Sequence, residues 1–91
     1  MEDSLVWVGR IVKTLGIQGE VKVSSPGGGA AAFSFGKAVY LENRQGTKTP
    51  LTVHSSRLRG ESVILSFREI RTVEEAAEWV GCSVLDRKSV V

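Results

Sequence analysis

The sequence holds few side chains that could carry out catalysis. It has a single histidine, His54, and a single cysteine, Cys82. His54 alternates with Leu51 and Val53, which predicts an outward position on a strand with no acid to orient it. Cys82 has no cysteine or histidine at metal-ligand spacing, so we expect a small buried apolar residue. The sequence therefore predicts neither a nucleophilic site nor a metal site.

Three glutamates, Glu74, Glu75 and Glu78, are the densest acidic group. We interpret them as the solvated face of a helix in preference to paired catalytic carboxylates. Residues 27–29 are consecutive glycines, but the Gly-Lys-Ser/Thr ending of a phosphate loop is missing. We expect residues 24–36 to form a linker whose end is held to the core by Phe33 and Phe35. A binding module without cofactor is favoured over an enzyme.

Positive charge is concentrated in the first two-thirds of the chain. The net charge is only +2, yet residues 5–60 hold eight Lys and Arg against two acids. A basic face favours phosphate-rich partners; the alternative, that scattered cations merely keep strand edges soluble and unpaired, stays open. The residues that we predict to bind RNA or another phosphate-rich partner are Arg10, Lys13, Gly16, Gly19, Lys22, Arg57 and Arg59.

An antiparallel hairpin is predicted to position the first of these residues. Strands over Leu5–Lys13 and Glu20–Ser24 flank a turn that contains Gly16 and Gly19. Gly9, within the first strand, is predicted to mark a bulge that turns Arg10 outward.

Further strands and one helix complete the predicted fold. The strand segments are Lys37–Asn43, Pro50–Arg57, Ser62–Arg68 and Cys82–Arg87. Thr72 and Glu75 form a capping box, Val73, Ala76, Ala77 and Val80 form the apolar stripe of the helix, and Gly81 is expected at its C′ position. The pattern predicts an all-β fold: a six-stranded antiparallel closed β-barrel, with one short helix before the last strand.

The aromatic residues Trp7, Tyr40 and Phe67 could stack on single-stranded bases if exposed on a strand face. Each also fits the core, which is the preferred interpretation.

The chain of 91 residues is expected to form one domain over residues 1–91. It has no apolar run of membrane-spanning length. Its acidic residues 1–4 argue against a secretory signal, and a cytoplasmic location is expected.

Three segments carry a resemblance to a known family. They are VGRIVKTLGIQGEVKV, the Phe33-x-x-Gly36 segment followed by KAVYL, and SSRLRGESVILSFREIRTVEEAAEWVGCSVL. In this order they resemble the N-terminal domain of the ribosome maturation factor RimM, a 16S rRNA processing protein family. The resemblance implies a six-stranded barrel related to that of translation factors.

The function that this resemblance implies is non-enzymatic. Such a domain would bind the free small ribosomal subunit near its head and assist late assembly and rRNA processing as a monomer. The family's second barrel is a C-terminal PRC-barrel domain associated with the head protein of the S-nineteen family, and we expect residues 1–91 not to include it. Family members commonly have His at the position of Leu15 and often a basic residue at that of Gln18.

Two alternatives remain on the same fold. One is a generic translation-factor-like barrel that binds protein ligands, for example by strand addition. The other is a cofactor-binding barrel of the flavin reductase type, which a colourless protein without a nucleotide-induced thermal shift would exclude.

Overall fold

The computed structural model describes residues 3–25 and 36–89. The strands and the helix are β1 (Asp3–Leu15), β2 (Glu20–Ser24), β3 (Ala38–Glu42), β4 (Lys48–Arg59), β5 (Ser62–Phe67), α1 (Val73–Ala77) and β6 (Ser83–Ser89). Each predicted strand is present, with β1 and β4 longer than expected. The expected contact of Phe33 and Phe35 lies outside the described residues.

The six strands form a closed antiparallel ring in the order β1-β2-β5-β4-β3-β6. This confirms the predicted all-β barrel with one short helix before the last strand. Alternating strand residues point into the ring and form the core, for example Ile11, Val23, Leu41 and Leu65, none of which is exposed. Phe67 belongs to this core, as predicted.

Bulges interrupt the alternation of the two long strands. The register of β1 against β6 shifts between Trp7 and Gly9, which confirms the predicted bulge. A Cβ atom at Gly9 would lie 2.6 Å from Cγ1 of Val23 and 2.7 Å from the Ser24 carbonyl oxygen. The residue must therefore be glycine because the backbones of β1 and β2 approach too closely for a side chain.

Two further bulges were not predicted. The register of β1 against β2 shifts between Ile11 and Lys13, and Val12 is 43% exposed there. The register of β4 against β5 shifts between Val53 and Ser55. Simple alternation would place Thr52, His54 and Ser56 on one face, but the extra residue at His54 inverts the alternation beyond it, and Ser56 is paired with the core residue Leu65.

Helix α1 is shorter than its apolar stripe suggested. The Thr72 hydroxyl accepts the Glu75 N–H at 3.2 Å, which confirms the capping box. Ala76 is buried, but Ala77 and Val80 are exposed and Trp79 packs on the core instead, because helical periodicity ends with the C-cap at Glu78.

Gly81 lies beyond the helix rather than at its C′ position. It has φ +92°, and its N–H donates to the Ile11 carbonyl at 2.7 Å. The Ile11 N–H in turn donates to the Cys82 carbonyl at 3.0 Å. The role of Gly81 is thus to join the segment after α1 to β1, a contact between distant parts of the chain that local helix signals do not contain.

Candidate nucleic-acid interface

The predicted cations lie on the outer face of neighbouring strands. Val21 and Val23 point into the core, so Lys22 between them points outward. Residues paired across a sheet share a face, and Lys13 is the partner of Lys22. Lys13 and Lys22 therefore stand side by side on the barrel surface.

The same cross-strand row continues through β5 to β4. Lys22 is paired with Ile64, and Ile64 is paired with Arg57. Ile64 lies between the core residues Val63 and Leu65, so it points outward, yet it is only 1% exposed. The long stems of Lys22 and Arg57 flank it and are placed to cover it.

An ion pair crosses this row. The Nη1 atom of Arg57 lies 2.9 Å from Oε2 of Glu20, and Nη2 lies 3.4 Å from Oε1. Since β5 separates β4 from β2, the Arg57 side chain extends over β5, spanning about 10 Å between the two outer backbones. Arg57 is therefore less available to an anion than the sequence suggested, because Glu20 neutralises it in part.

A second row lies one side-chain repeat along the strands. It runs Arg10, Ser24, Ser62, Arg59 across β1, β2, β5 and β4. Arg10 and Arg59 are exposed at its two ends. Because these strands are consecutive in the ring, the two rows follow a curved surface, and an anionic chain must bend around the barrel to contact both ends. We call the two rows together the basic face.

Acidic side chains on helix α1 do not neutralise the basic face. Among the described residues, no ion pair joins Glu74, Glu75 or Glu78 to a cation of either row. Glu75 instead accepts the Arg71 N–H at 3.1 Å. This hydrogen bond is the main cause that holds the pKa of Glu75 below its usual value. The Glu75 carboxylate is therefore bonded to the backbone at the start of α1.

The two glycines predicted at the site have different positions. Gly16 is exposed in the β1–β2 turn with φ +67°, and its surroundings are open. Gly19 is buried, and a Cβ atom there would lie 3.0 Å from the Thr72 carbonyl oxygen. Packing within the chain accounts for Gly19, which has no surface to offer to a partner.

The residues considered for catalysis do not assemble. His54 is exposed at the β4 bulge and Cys82 is buried, as predicted. Burial raises the pKa of the Cys82 thiol, which disfavours the nucleophilic thiolate. In the described ranges 3–25 and 36–89, no three histidine, cysteine or acidic side chains cluster at metal-binding distance. None of the helices there has the length and apolarity needed to span a membrane.

An apolar surface on the other side of the ring was not predicted. Trp7, Leu85, Tyr40 and Pro50 are consecutive cross-strand partners on β1, β6, β3 and β4. Trp7 is 47% exposed and Tyr40 is half-buried, so the expected core position is wrong for both. The bulge between Trp7 and Gly9 adds one residue to β1, and this extra residue turns Trp7 outward. The alternation of β1 alone does not show this. We call these four residues the apolar row.

The described residues form a closed six-stranded barrel whose outer surface carries the basic face and the apolar row. Comparison with known proteins gives its family. The family model described as RimM N-terminal domain matches residues 6–90, and the chain therefore belongs to the RimM family.

Individual relatives agree with this membership. The ribosome maturation factor RimM of Syntrophobacter fumaroxidans is 34% identical over 85% of this chain and 44% of its own length. RimM of Caldicellulosiruptor bescii is 41% identical over 76% of this chain and 40% of its own length. The chain thus spans less than half the length of these curated relatives.

A solved structure shares the fold. The crystal structure of a RimM from Pseudomonas aeruginosa, described as a 16S ribosomal RNA processing protein, superposes with a TM-score of 0.75 at 25% identity. The match covers 97% of this chain and 53% of that one. The barrel is therefore the shared architecture of this part of the family.

Proposed function

We propose that this domain helps a ribosome maturation factor to bind the small ribosomal subunit near its head during late assembly and rRNA processing. The domain would act in the cytoplasm as a non-enzymatic module, and its basic face would contact rRNA phosphates. Binding of the head protein of the S-nineteen family is proposed to fall mainly to the C-terminal barrel domain that the family resemblance implies, and not to this domain.

The observation that carries the proposal is the Lys13–Lys22 pair. Like charges directly opposite each other on a sheet are destabilising. Within the described residues, neither ammonium has a carboxylate at ion-pairing distance. The unbound domain therefore carries a repulsion that an anion between the two side chains would remove. Ser24 and Ser62, in the adjacent row, add hydroxyl groups that can donate to phosphate oxygens.

Co-sedimentation with purified small subunits across a salt series tests this proposal. Each lost phosphate contact reduces the slope of log affinity against log salt, so Lys13→Gln with Lys22→Gln should lower its magnitude by about 1.4 to 1.8. The matched control is Arg44→Gln with Lys48→Gln, which removes the same charge at the β3–β4 turn and at the first residue of β4, where Lys48 pairs with Glu42. Equal slopes for the wild type and the Lys13/Lys22 variant would overturn the proposal.

A second candidate, contact with a protein surface of the subunit, is favoured by the apolar row. Trp7 is 47% exposed in this row, and exposed apolar patches on small domains often mark protein contacts. Binding through this row would persist at high salt. Trp7→Ser should abolish that salt-insensitive part, whereas Ile17→Ser, at a position that is 83% exposed in the hairpin turn, should not.

A further inference from the structure

A groove lies beside the basic face, between the tip of the β1–β2 hairpin and the bulge of β4. Its volume is about 690 Å³, which falls in the range of small-molecule sites. Phe67 and Ile70 lie at its base, and Ser55 and Ser66 join across β4 and β5 through a 2.6 Å hydroxyl–hydroxyl hydrogen bond. The groove therefore combines an apolar base with polar groups that can both donate and accept.

Charge at the groove favours an anionic ligand. Arg68 and Arg71 contribute two guanidinium groups to its lining. Glu20 also lines it, but Arg57 pairs with this carboxylate at 2.9 Å and offsets its repulsion of an anion. Glu69, next in sequence to Arg68, lies outside the lining and accepts the Thr52 N–H at 2.8 Å. Burial raises the pKa of Glu69, but this hydrogen bond and the nearby charge of Arg68 lower it below its usual value, so Arg68 also faces a carboxylate outside the groove.

The groove is continuous with the basic face. Ser66 lies two residues from Ile64 on β5, and Ser55 lies two residues from Arg57 on β4, on the same outer surface. A polynucleotide backbone held by Lys13 and Lys22 would reach the groove within about 10 Å, which is a spacing of one or two nucleotides.

We infer that this groove receives one unpaired nucleotide of the RNA strand that crosses the basic face. RNA recognition often takes a base out of its stack, places it against a guanidinium plane or an aromatic ring, and bonds its edges to polar groups. Arg68 and Arg71 provide the guanidinium planes, and Gln18 and the two serines provide the edge contacts. This inference rests on the proposed function and adds to it a contact with a base.

An abasic oligonucleotide separates base contact from backbone contact. The probes are a fluorescein-labelled single-stranded octauridylate and the same octamer with abasic riboses at its two central positions, measured by anisotropy at low salt. Both carry the same phosphates, so both should bind with the same salt dependence. The abasic octamer should bind about 5- to 100-fold more weakly, as expected for loss of one base contact.

A groove-filling variant supplies the second measurement. Ser55→Trp, at an exposed position, places a ring in the groove without changing charge. It should weaken octauridylate binding to the level of the abasic octamer and leave abasic binding unchanged. Thr47→Trp, in the exposed β3–β4 turn, is the matched control and should change neither.

Each other outcome has a definite meaning. Equal affinity for the two octamers, with salt-dependent binding, would overturn the inference that the groove binds a base. It would still support phosphate binding by the basic face. Absence of salt-dependent binding of either octamer, together with an unchanged co-sedimentation slope for the Lys13/Lys22 variant, would overturn both. Displacement of octauridylate by micromolar uridine monophosphate would assign the groove to a free nucleotide and overturn the RNA assignment.

Discussion

Lys13 and Lys22 face each other directly across the β1–β2 hairpin, on the outer surface of the barrel. The arrangement places two ammonium groups side by side at the β1–β2 end of the basic face. It has a cost for the folded domain when no anion is bound, and that cost can be measured apart from any binding partner.

Removing this repulsion should stabilise the isolated domain. Lys13→Gln should raise the free energy of unfolding in urea by about 0.2 to 1 kcal/mol at low salt, because like charges in direct opposition destabilise a sheet. The gain should shrink as salt screens the pair. Arg44→Gln, in an exposed turn, is the control and should give no such gain. A loss of stability in Lys13→Gln at low salt would contradict this interpretation.

Arg57 should contribute more to stability than Arg59, its neighbour on the same face of β4. Both are exposed cations, but only Arg57 pairs with Glu20 and flanks the buried outward side chain of Ile64. Arg57→Ala should therefore lower the free energy of unfolding by about 1 kcal/mol, partly through lost cover of apolar surface. Arg59→Ala should change it by less than about 0.5 kcal/mol. Equal losses of stability for Arg57→Ala and Arg59→Ala in thermal or urea unfolding would show that covering Ile64 does not stabilise the domain.

The Gly9 bulge should not tolerate a side chain. Gly9→Ala places a methyl group 2.6 Å from Val23 Cγ1 and 2.7 Å from a backbone oxygen, so the strands must separate. We expect a loss of about 1 to 3 kcal/mol in the free energy of unfolding. The comparison is Gly16→Asn, because Asn tolerates the left-handed conformation and the surroundings of Gly16 are open. A Gly9→Ala domain as stable as Gly16→Asn would contradict the close approach.

The start of α1 should make stability depend on pH. The Arg71 N–H and the Thr72 hydroxyl bond the Glu75 carboxylate and lower its pKa in the folded state. A lowered folded pKa gives stability that is present above the unfolded pKa and lost as pH falls through the folded pKa. Carboxyl chemical shifts followed by NMR should show that the pKa of Glu75 lies below the ordinary value of a glutamate side chain.

Thr72→Ala, at the N-cap of α1, tests the contribution of the Thr72 hydroxyl to the lowered pKa of Glu75. It removes the hydroxyl that accepts the Glu75 N–H and should cost about 1 kcal/mol. It should also move the Glu75 pKa upward, toward its ordinary value, while the Arg71 contact keeps part of the shift. An unchanged titration of Glu75 in this variant would show that the hydroxyl has no part in holding the carboxylate.

Local patterns were sufficient to determine most of the strands and the helix start. The hairpin of β1 and β2, the glycine turns and the Thr72–Glu75 cap depend on residues a few positions apart, so the sequence predicts them directly. The RimM resemblance, carried by three ordered segments, is confirmed by the family match over residues 6–90. Helix length was predicted less well, since Trp79 rather than Val80 packs on the core.

The sequence by itself determined which residue types are present, with the cations concentrated in the first two-thirds of the chain. Tertiary structure alone decided where they point. Strict alternation from the core residues Ile11 and Val53 would turn Lys13, Arg57 and Arg59 inward, and bulges at residues 12 and 54 turn them out. The physical reason is that register and bulges are set by pairing between distant strands, so a single strand's pattern cannot specify which side chains meet across the sheet.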